Sequence, residues 1–294
     1  MQFLNPKTDF AFKKIFGSEK SRGILISFLN AFLDLKSPFL IIDVEILDPY
    51  QAPKIIGMKD TYLDVKVKDE RGQNYIIEMQ VLNVMGFEKR VLYNACKAYA
   101  NQLQKGQDYH LLTKVTAITI TDFVMFEDWP EVQSEFQLKE KGNGSIYGED
   151  LVLMFAELPK FRKGEKDLET ILDKWLFFIK NAGDLQLIPD VLEKEKPIKT
   201  AFEIANMATL SREEWEDQER REIFIQDQRG ALQFAEKKGI EKGKLKGKLE
   251  GKLEGKLEGK LEDARIMLKK KYLLADVIDI TGLTESQLRD AGLV

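Results

Sequence analysis

An α/β domain on a mixed β-sheet, giving way to helices toward the C-terminus, is the fold this sequence predicts, and three observations predict it. Between residues 8 and 123 the periodicity reads helix, strand, strand, strand, helix, strand. After residue 165 the patterns are helical, ending in a tetrapeptide repeat and two short helices. The chain of 294 residues is 44% hydrophobic with 18 Phe, enough to fill a core and to argue against disorder through most of its length.

The elements follow in order. Thr8 is placed to N-cap a helix that begins at Asp9 and extends to residue 34, with Phe12, Ile15, Phe16, Leu25, Phe28, Leu29 and Phe32 on its apolar face and Gly17-Ser18 as the point of a kink. Strand patterns follow over 40–47, 61–68 and 74–81. A helix over 87–105 is expected to bury Leu92, Cys96, Tyr99 and Leu103 and to stop at Gly106. A Thr, Ile and Val-rich strand covers 114–123, and the less regular stretch 124–165 carries a Gly142-Asn143-Gly144 turn and one more strand over 151–158. Helices are expected near 167–180, 198–207 and 211–238, the last opened by a Ser211–Glu214 capping box. The expected divisions are 1–165, 166–238, 239–262 and 263–294.

Residues 243–262 repeat Gly-Lys-Leu-Glu, after a first unit that reads Gly-Lys-Leu-Lys. In an α-helix a four-residue period advances by about 40° per repeat, so the leucines wind around the rod. Each Gly weakens the helix by about 1 kcal/mol, and residues four apart are expected to be like with like, leaving no stabilising ion pair. Three readings stay open: a solvated linker, a self-association helix giving a homo-oligomer, and a nucleic-acid-binding arm. The segment after it, 263–294, reads as two short helices around a turn at Gly282, the second capped by Thr284.

Composition removes several chemistries. One Cys, Cys96, excludes an intrachain disulfide framework and a CxxC zinc site, and its neighbours Leu92, Ala95 and Tyr99 suggest a core thiol. One His, His110, excludes a multi-histidine metal cage and reads as a loop residue. Metal chemistry here must use oxygen ligands and so hard cations. The net charge is −4, although residues 236–271 hold 13 Lys or Arg against 7 Asp or Glu, so charge alone does not suggest nucleic acid. With no apolar run long enough for a membrane span and no basic, apolar leader, the expectation is a cytoplasmic protein.

Residues 61–81 carry the chemistry. A three-residue Glu70-Arg71-Gly72 loop, with left-handed Gly72 in third place, pairs Asp69 with Gln73. Counting along that ladder sets Lys66 opposite Ile76, Asp64 opposite Glu78 and Tyr62 opposite Gln80; a slip of one residue would put the two carboxylates on opposite faces. Carboxylates facing each other at about 5 Å between Cβ atoms repel unless a divalent cation lies between them. Such a cation could activate water against a phosphodiester, with Lys66 on the same face stabilising developing charge. Spacing alone leaves open a solvent-facing hairpin whose charges merely solubilise it.

Asp64, Gly72 and Ile76-Ile77-Glu78-Met79-Gln80 resemble the D…(D/E)-x-K hairpin of the PD-(D/E)XK nucleases. More narrowly, the run from Asn5-Pro6-Lys7-Thr8-Asp9 through Phe12-Lys13-Lys14-Ile15-Phe16-Gly17 is similar to the Rpn family of recombination-promoting nucleases and transposases. So are Leu63-Asp64-Val65, Ile77-Glu78-Met79-Gln80-Val81, Arg90-Val91-Leu92-Tyr93 and the block from Gln102 to Tyr109. The resemblance spans about residues 1–240 in order. It implies a restriction-endonuclease-like core and cleavage of DNA with Mg²⁺ or Mn²⁺, in recombination, mobile-element biology or phage defence. It further implies metal ligands at Asp64, Glu78 and the Met79 backbone carbonyl, with Asp9 as an added carboxylate. Gln80 occupies the usual lysine position, so Lys66 or, second, Lys97 is expected to supply the missing charge. Arg90, Tyr93 and Gln102 are candidates to orient phosphate or brace the site, beside plain packing roles. The rival is a degenerate nuclease fold acting as a DNA-binding or self-assembling protein.

Overall fold

A computed structural model describes residues 2–51 and 61–294. The chain forms two compact units, residues 1–228 and 229–294.

The first unit begins with α1 (Asp9–Phe16), where the Thr8 hydroxyl accepts the Ala11 N–H, and α2 (Arg22–Phe32). The helix expected over 8–34 is thus two, broken between Gly17 and Ser21 by a single tight turn. Both bury aromatic faces: Phe28 packs on Phe16 at 5.5 Å and edge-on to Trp175 at 6.0 Å between ring centroids.

The strands are β1 (Val44–Leu47), β2 (Tyr50–Gln51), β3 (Thr61–Tyr62), β4 (Val65–Asp69) and β5 (Asn74–Gln80), then α3 (Phe87–Ala100), β6 (Val115–Thr121), β7 (Gln133–Lys139) and β8 (Ile146–Glu157). Six of them form one mixed sheet in the order β1-β4-β5-β6-β8-β7. The outer pairs are antiparallel and the central β5–β6 and β6–β8 pairs parallel, α3 making the crossover between β5 and β6. Every residue of β6 is buried, as a strand covered on both faces requires. Side chains alternate accordingly. Tyr75, Ile77 and Met79 join the large core with α1, α2 and the later helices, while Ile76 packs with Ala95 and Ala98 of α3. The first unit is thus a mixed α/β sheet layer flanked by helices.

Four expectations need correction. The strand expected over 61–68 is two pieces: β3 leaves the sheet to pair with β2, so Tyr62 lies opposite Tyr50 rather than Gln80. β7, expected as irregular chain, is an edge strand whose polar sequence suits its one-sided exposure, joined to β8 through Gly142–Gly144. The buried residues of α3 are Phe87, Val91, Asn94, Ala95, Lys97 and Ala98, leaving Leu92 48% exposed. Cys96 is exposed for the same reason and is no core thiol.

The helices that follow are α4 (Ile171–Asn181), α5 (Asp190–Glu193), α6 (Lys196–Ala205) and α7 (Arg212–Lys269). Ser211 and Glu214 form the expected capping box at the start of α7. The first turns of α7 lie against α1: Lys14 pairs with Glu214, the Thr8 hydroxyl donates to Gln218 at 2.9 Å, and Arg221 reaches Asp9.

In the second unit the repeat is helical, with Leu245 and Leu253 72% and 61% exposed. The expectation of no i,i+4 ion pair fails at one place: Lys246, the last residue of the variant first unit, lies 3.6 Å from Glu250. Residues α8 (Leu274–Thr281) and α9 (Glu285–Asp290) fold back on the end of α7 around Ala264, Val277, Leu283 and Leu288. Gly282 makes the turn at φ +63°, and Thr284 caps α9. Among the described residues no helix is long and apolar enough to cross a membrane.

Candidate active site

The hairpin loop sets the geometry. Gly72 has φ +81°, its N–H donates to the Asp69 carbonyl, and Asp69 N–H donates to Gln73. That closure fixes the register Lys68↔Asn74, Val67↔Tyr75, Lys66↔Ile76 and Val65↔Ile77. The ladder stops there, because Leu63 turns away and gives its N–H to the Pro49 carbonyl. Asp64 sits at the point of divergence. Its Oδ2 accepts the Met79 N–H at 2.9 Å, taking the place of the strand carbonyl that has left.

Glu78, 9% exposed, is held from α3: Asn94 Nδ2 donates to its Oε1 at 2.8 Å. From α1, Lys13 Nζ lies 2.7 Å from Asp9 Oδ1 and 3.6 Å from Asp64 Oδ1. Arg221 Nη1 lies 2.6 Å from Asp9 Oδ2 and its Nε 3.1 Å from Asp217. An alternating chain of charge therefore runs Asp217, Arg221, Asp9, Lys13, Asp64.

Burial above all, then a hydrogen bond with Asp9 and the charges of Asp9 and Glu78, push the Asp64 carboxyl up to about 7, against the pull of the Met79 N–H. Burial also raises Glu78 above the usual carboxylate range, with Asn94, Arg90 and Lys13 opposing it. Asp9 goes the other way: burial would raise it, but Lys13, the Asp64 contact and Arg221 together hold it low.

A profile of PD-(D/E)XK nuclease family transposases matches residues 6–235. The chain belongs to that family. Comparison with curated proteins and with solved structures gives no match. The matched span runs from α1 to the early turns of α7 and so includes Asp9, Asp64, Glu78 and Arg221. Membership in this nuclease family implies a hydrolase.

PD-(D/E)XK nucleases typically use divalent metals. Among the described residues no group of three or more His, Cys, Asp or Glu side chains is arranged to hold a metal ion. The donor chemistry nevertheless suits a hard cation: Asp64 and Glu78 offer carboxylate oxygens, and a buried acid raised by two acidic neighbours is one that a dication would relieve. Asp9 has both oxygens engaged by cations, which suits it to hold Lys13 in place.

The other sequence candidates divide. Gln80, in the family's lysine position, accepts from Arg90 and donates to the Leu82 carbonyl. Lys66 lines a separate cavity of about 400 Å³ with Lys68, Asn74 and Gln102; burial lowers its pKa and Asp48 opposes this. Lys97 is 6% exposed, with Nζ 5.9 Å from the Tyr93 ring centroid. Gln102 braces the chain before β6 through bonds to Thr113. Arg90 stacks on Phe87 at 5.2 Å and is one of the cations acting on Glu78, the other being Lys13. His110 is an exposed loop residue near Asp108. Lys13 is a site residue that the motif pattern does not mark; its one signal in the sequence is its i,i+4 spacing from Asp9 on α1.

Proposed function

We propose that this chain hydrolyses phosphodiester bonds in DNA with a divalent cation, Mg²⁺ or Mn²⁺, held by Asp64, Glu78 and the Met79 backbone carbonyl. The observation that carries this reading is the pair of carboxyls at the point where β3 leaves the sheet, both raised by burial and with Glu78 adding to the charge on Asp64. Bound there, the cation supplies Lewis acidity toward the phosphate and toward water. Lys13 provides the positive charge that Gln80 lacks, and Asp9 orients it. The family's transposase description favours a role on mobile elements or in recombination; phage defence rests on the resemblance to the Rpn family.

Nicking of supercoiled plasmid tests the proposal. Asp64→Ala and Glu78→Ala should each abolish Mg²⁺-dependent nicking while circular dichroism shows the fold retained. Equal rates in the variants would remove it. The glutamine at position 80, tied up by Arg90 and Leu82, favours a second reading, a retired nuclease fold that binds DNA without cutting it. Metal-independent DNA binding by the native chain, with no nicking in Mg²⁺ or Mn²⁺, would establish it.

A further inference from the structure

Arg90, one of the cations acting on Glu78, also lines a cavity of about 500 Å³ whose walls include Thr61, Met85, Phe87, Lys89 and Tyr93. That volume is within the range of small-molecule sites, ~300–1,000 Å³. Two features of its lining point to one kind of occupant. The walls are mainly apolar and carry two aromatic rings, Phe87 and Tyr93. Two cations, Lys89 and Arg90, stand at its edge, and Arg90 is shared with the carboxylate site through Gln80 and through its charge on Glu78.

A flat heterocycle on a phosphate chain meets both conditions. Its face stacks on an aromatic ring, and the flanking phosphates meet Lys89 and Arg90. Arg90 and Asn94 stand one helical turn apart on α3, and Asn94 holds Glu78. The phosphate next to a base in the cavity would therefore reach the carboxylates. Resting on the nuclease reading above, we propose that the cavity receives an unstacked nucleobase adjacent to the phosphodiester at Asp64 and Glu78, so that the substrate is single-stranded or locally unpaired DNA. A base inside an intact duplex has both faces stacked and cannot enter.

Fluorescence anisotropy on the full-length chain tests this, using a labelled 12-nucleotide oligothymidylate, a 12-unit abasic strand of equal charge, and a blunt duplex, all in metal-free buffer. The native chain should bind the thymidylate roughly 10-fold more tightly than the abasic strand, the scale of one base–aromatic stack, and more tightly than the duplex. Tyr93→Ala should bring the ratio of thymidylate to abasic affinity close to one. Met85→Ser should reduce it too, and because Met85 is fully exposed its replacement leaves folding intact. Equal affinity of the native chain for the thymidylate and abasic strands, no binding of either, or a ratio unchanged in both variants overturns the proposal. Mg²⁺-dependent nicking, measured in parallel with native and Asp64→Ala chains, tells the two readings apart. Base discrimination without nicking leaves the cavity and sinks the nuclease, and Asp64-dependent nicking without discrimination does the reverse.

Discussion

Arg221, in the first turns of α7, places its Nη1 2.6 Å from Oδ2 of Asp9, 212 residues earlier in the chain. Asp9 in turn holds Lys13 at 2.7 Å, and Lys13 stands 3.6 Å from Asp64. Helix α7 is thus tied into the candidate active site, which explains why the family match continues to residue 235, well past the sheet. A chain ending at Gln228 should therefore keep the melting temperature of the first unit and its metal uptake, while one ending at Leu210 should lose both. Arg221→Ala alone should have a small effect, about 0.2–1 kcal/mol in denaturant titration, because the pair is partly exposed and screened.

Lys13→Gln removes the cation next to Asp64. If Lys13 serves as the displaced lysine of the family motif, single-turnover nicking should fall about 10²-fold, the usual effect of deleting one charge-stabilising donor. Lys13→Arg should retain part of the rate. Lys66→Gln should leave the rate within a few-fold, since its charge is set against Asp48 and it lines another cavity. A loss in Lys66→Gln with none in Lys13→Gln would reverse these assignments.

Much of this hairpin was legible before any coordinates, and the reasons are local. Gly72 in third place of the loop admits one register, and the observed Lys66↔Ile76 pairing is the one it dictates. Thr8 and Ser211 likewise announce their helices by capping chemistry that depends on residues within three positions. What escaped is tertiary. Nothing near Lys13 in sequence says that α1 will lie beside a hairpin fifty residues on. The inward face of α3 was misassigned because Asn94 turns inward to hold Glu78, so a polar residue occupies a stripe that an apolar count gives to Leu92 and Cys96. β3 leaves the sheet through its pairing with β2, a long-range choice that alternation of side chains does not encode.

Stability should depend on pH through Asp64. Its carboxyl rises from an ordinary 3.8 to about 7, chiefly by burial and then by Asp9 and Glu78. A raised folded-state pKa means that the folded state holds the proton more tightly than the unfolded chain. The associated stability is full below about pH 4 and is lost as pH climbs through 7. Without metal, Asp64→Asn should match the native chain near pH 4 and exceed it increasingly toward pH 8, by on the order of a few kcal/mol. Thermal melts at both ends of that range in chelator check this; an offset that does not change with pH would contradict it.

Metal binding should follow the same proton. Near pH 7 part of the Asp64 population is protonated, and a dication displaces that proton. Calorimetry of Mn²⁺ uptake near pH 7, in two buffers of different ionisation enthalpy, should show proton release that disappears in Asp64→Asn. Glu78→Gln should weaken uptake while leaving some release. Saturating Mn²⁺ should also raise the native melting temperature, by about 2.7 kcal/mol of stability at 100 times the dissociation constant.

The repeat gives a prediction of its own. A Cβ added at Gly247, Gly251 or Gly255 would meet nothing within 4 Å. Each Gly→Ala change there should therefore stabilise the helix by about 1 kcal/mol, and the triple variant should be more helical by circular dichroism and melt later. The same change discriminates between readings of the segment. If two copies of the chain approach closely along the glycines, three methyl groups push the backbones apart, and light scattering would show fewer subunits alongside the gain in helicity. If the leucines that wind around this helix, Leu245, Leu249 and Leu253, face solvent in a single chain, the subunit number stays fixed while stability rises.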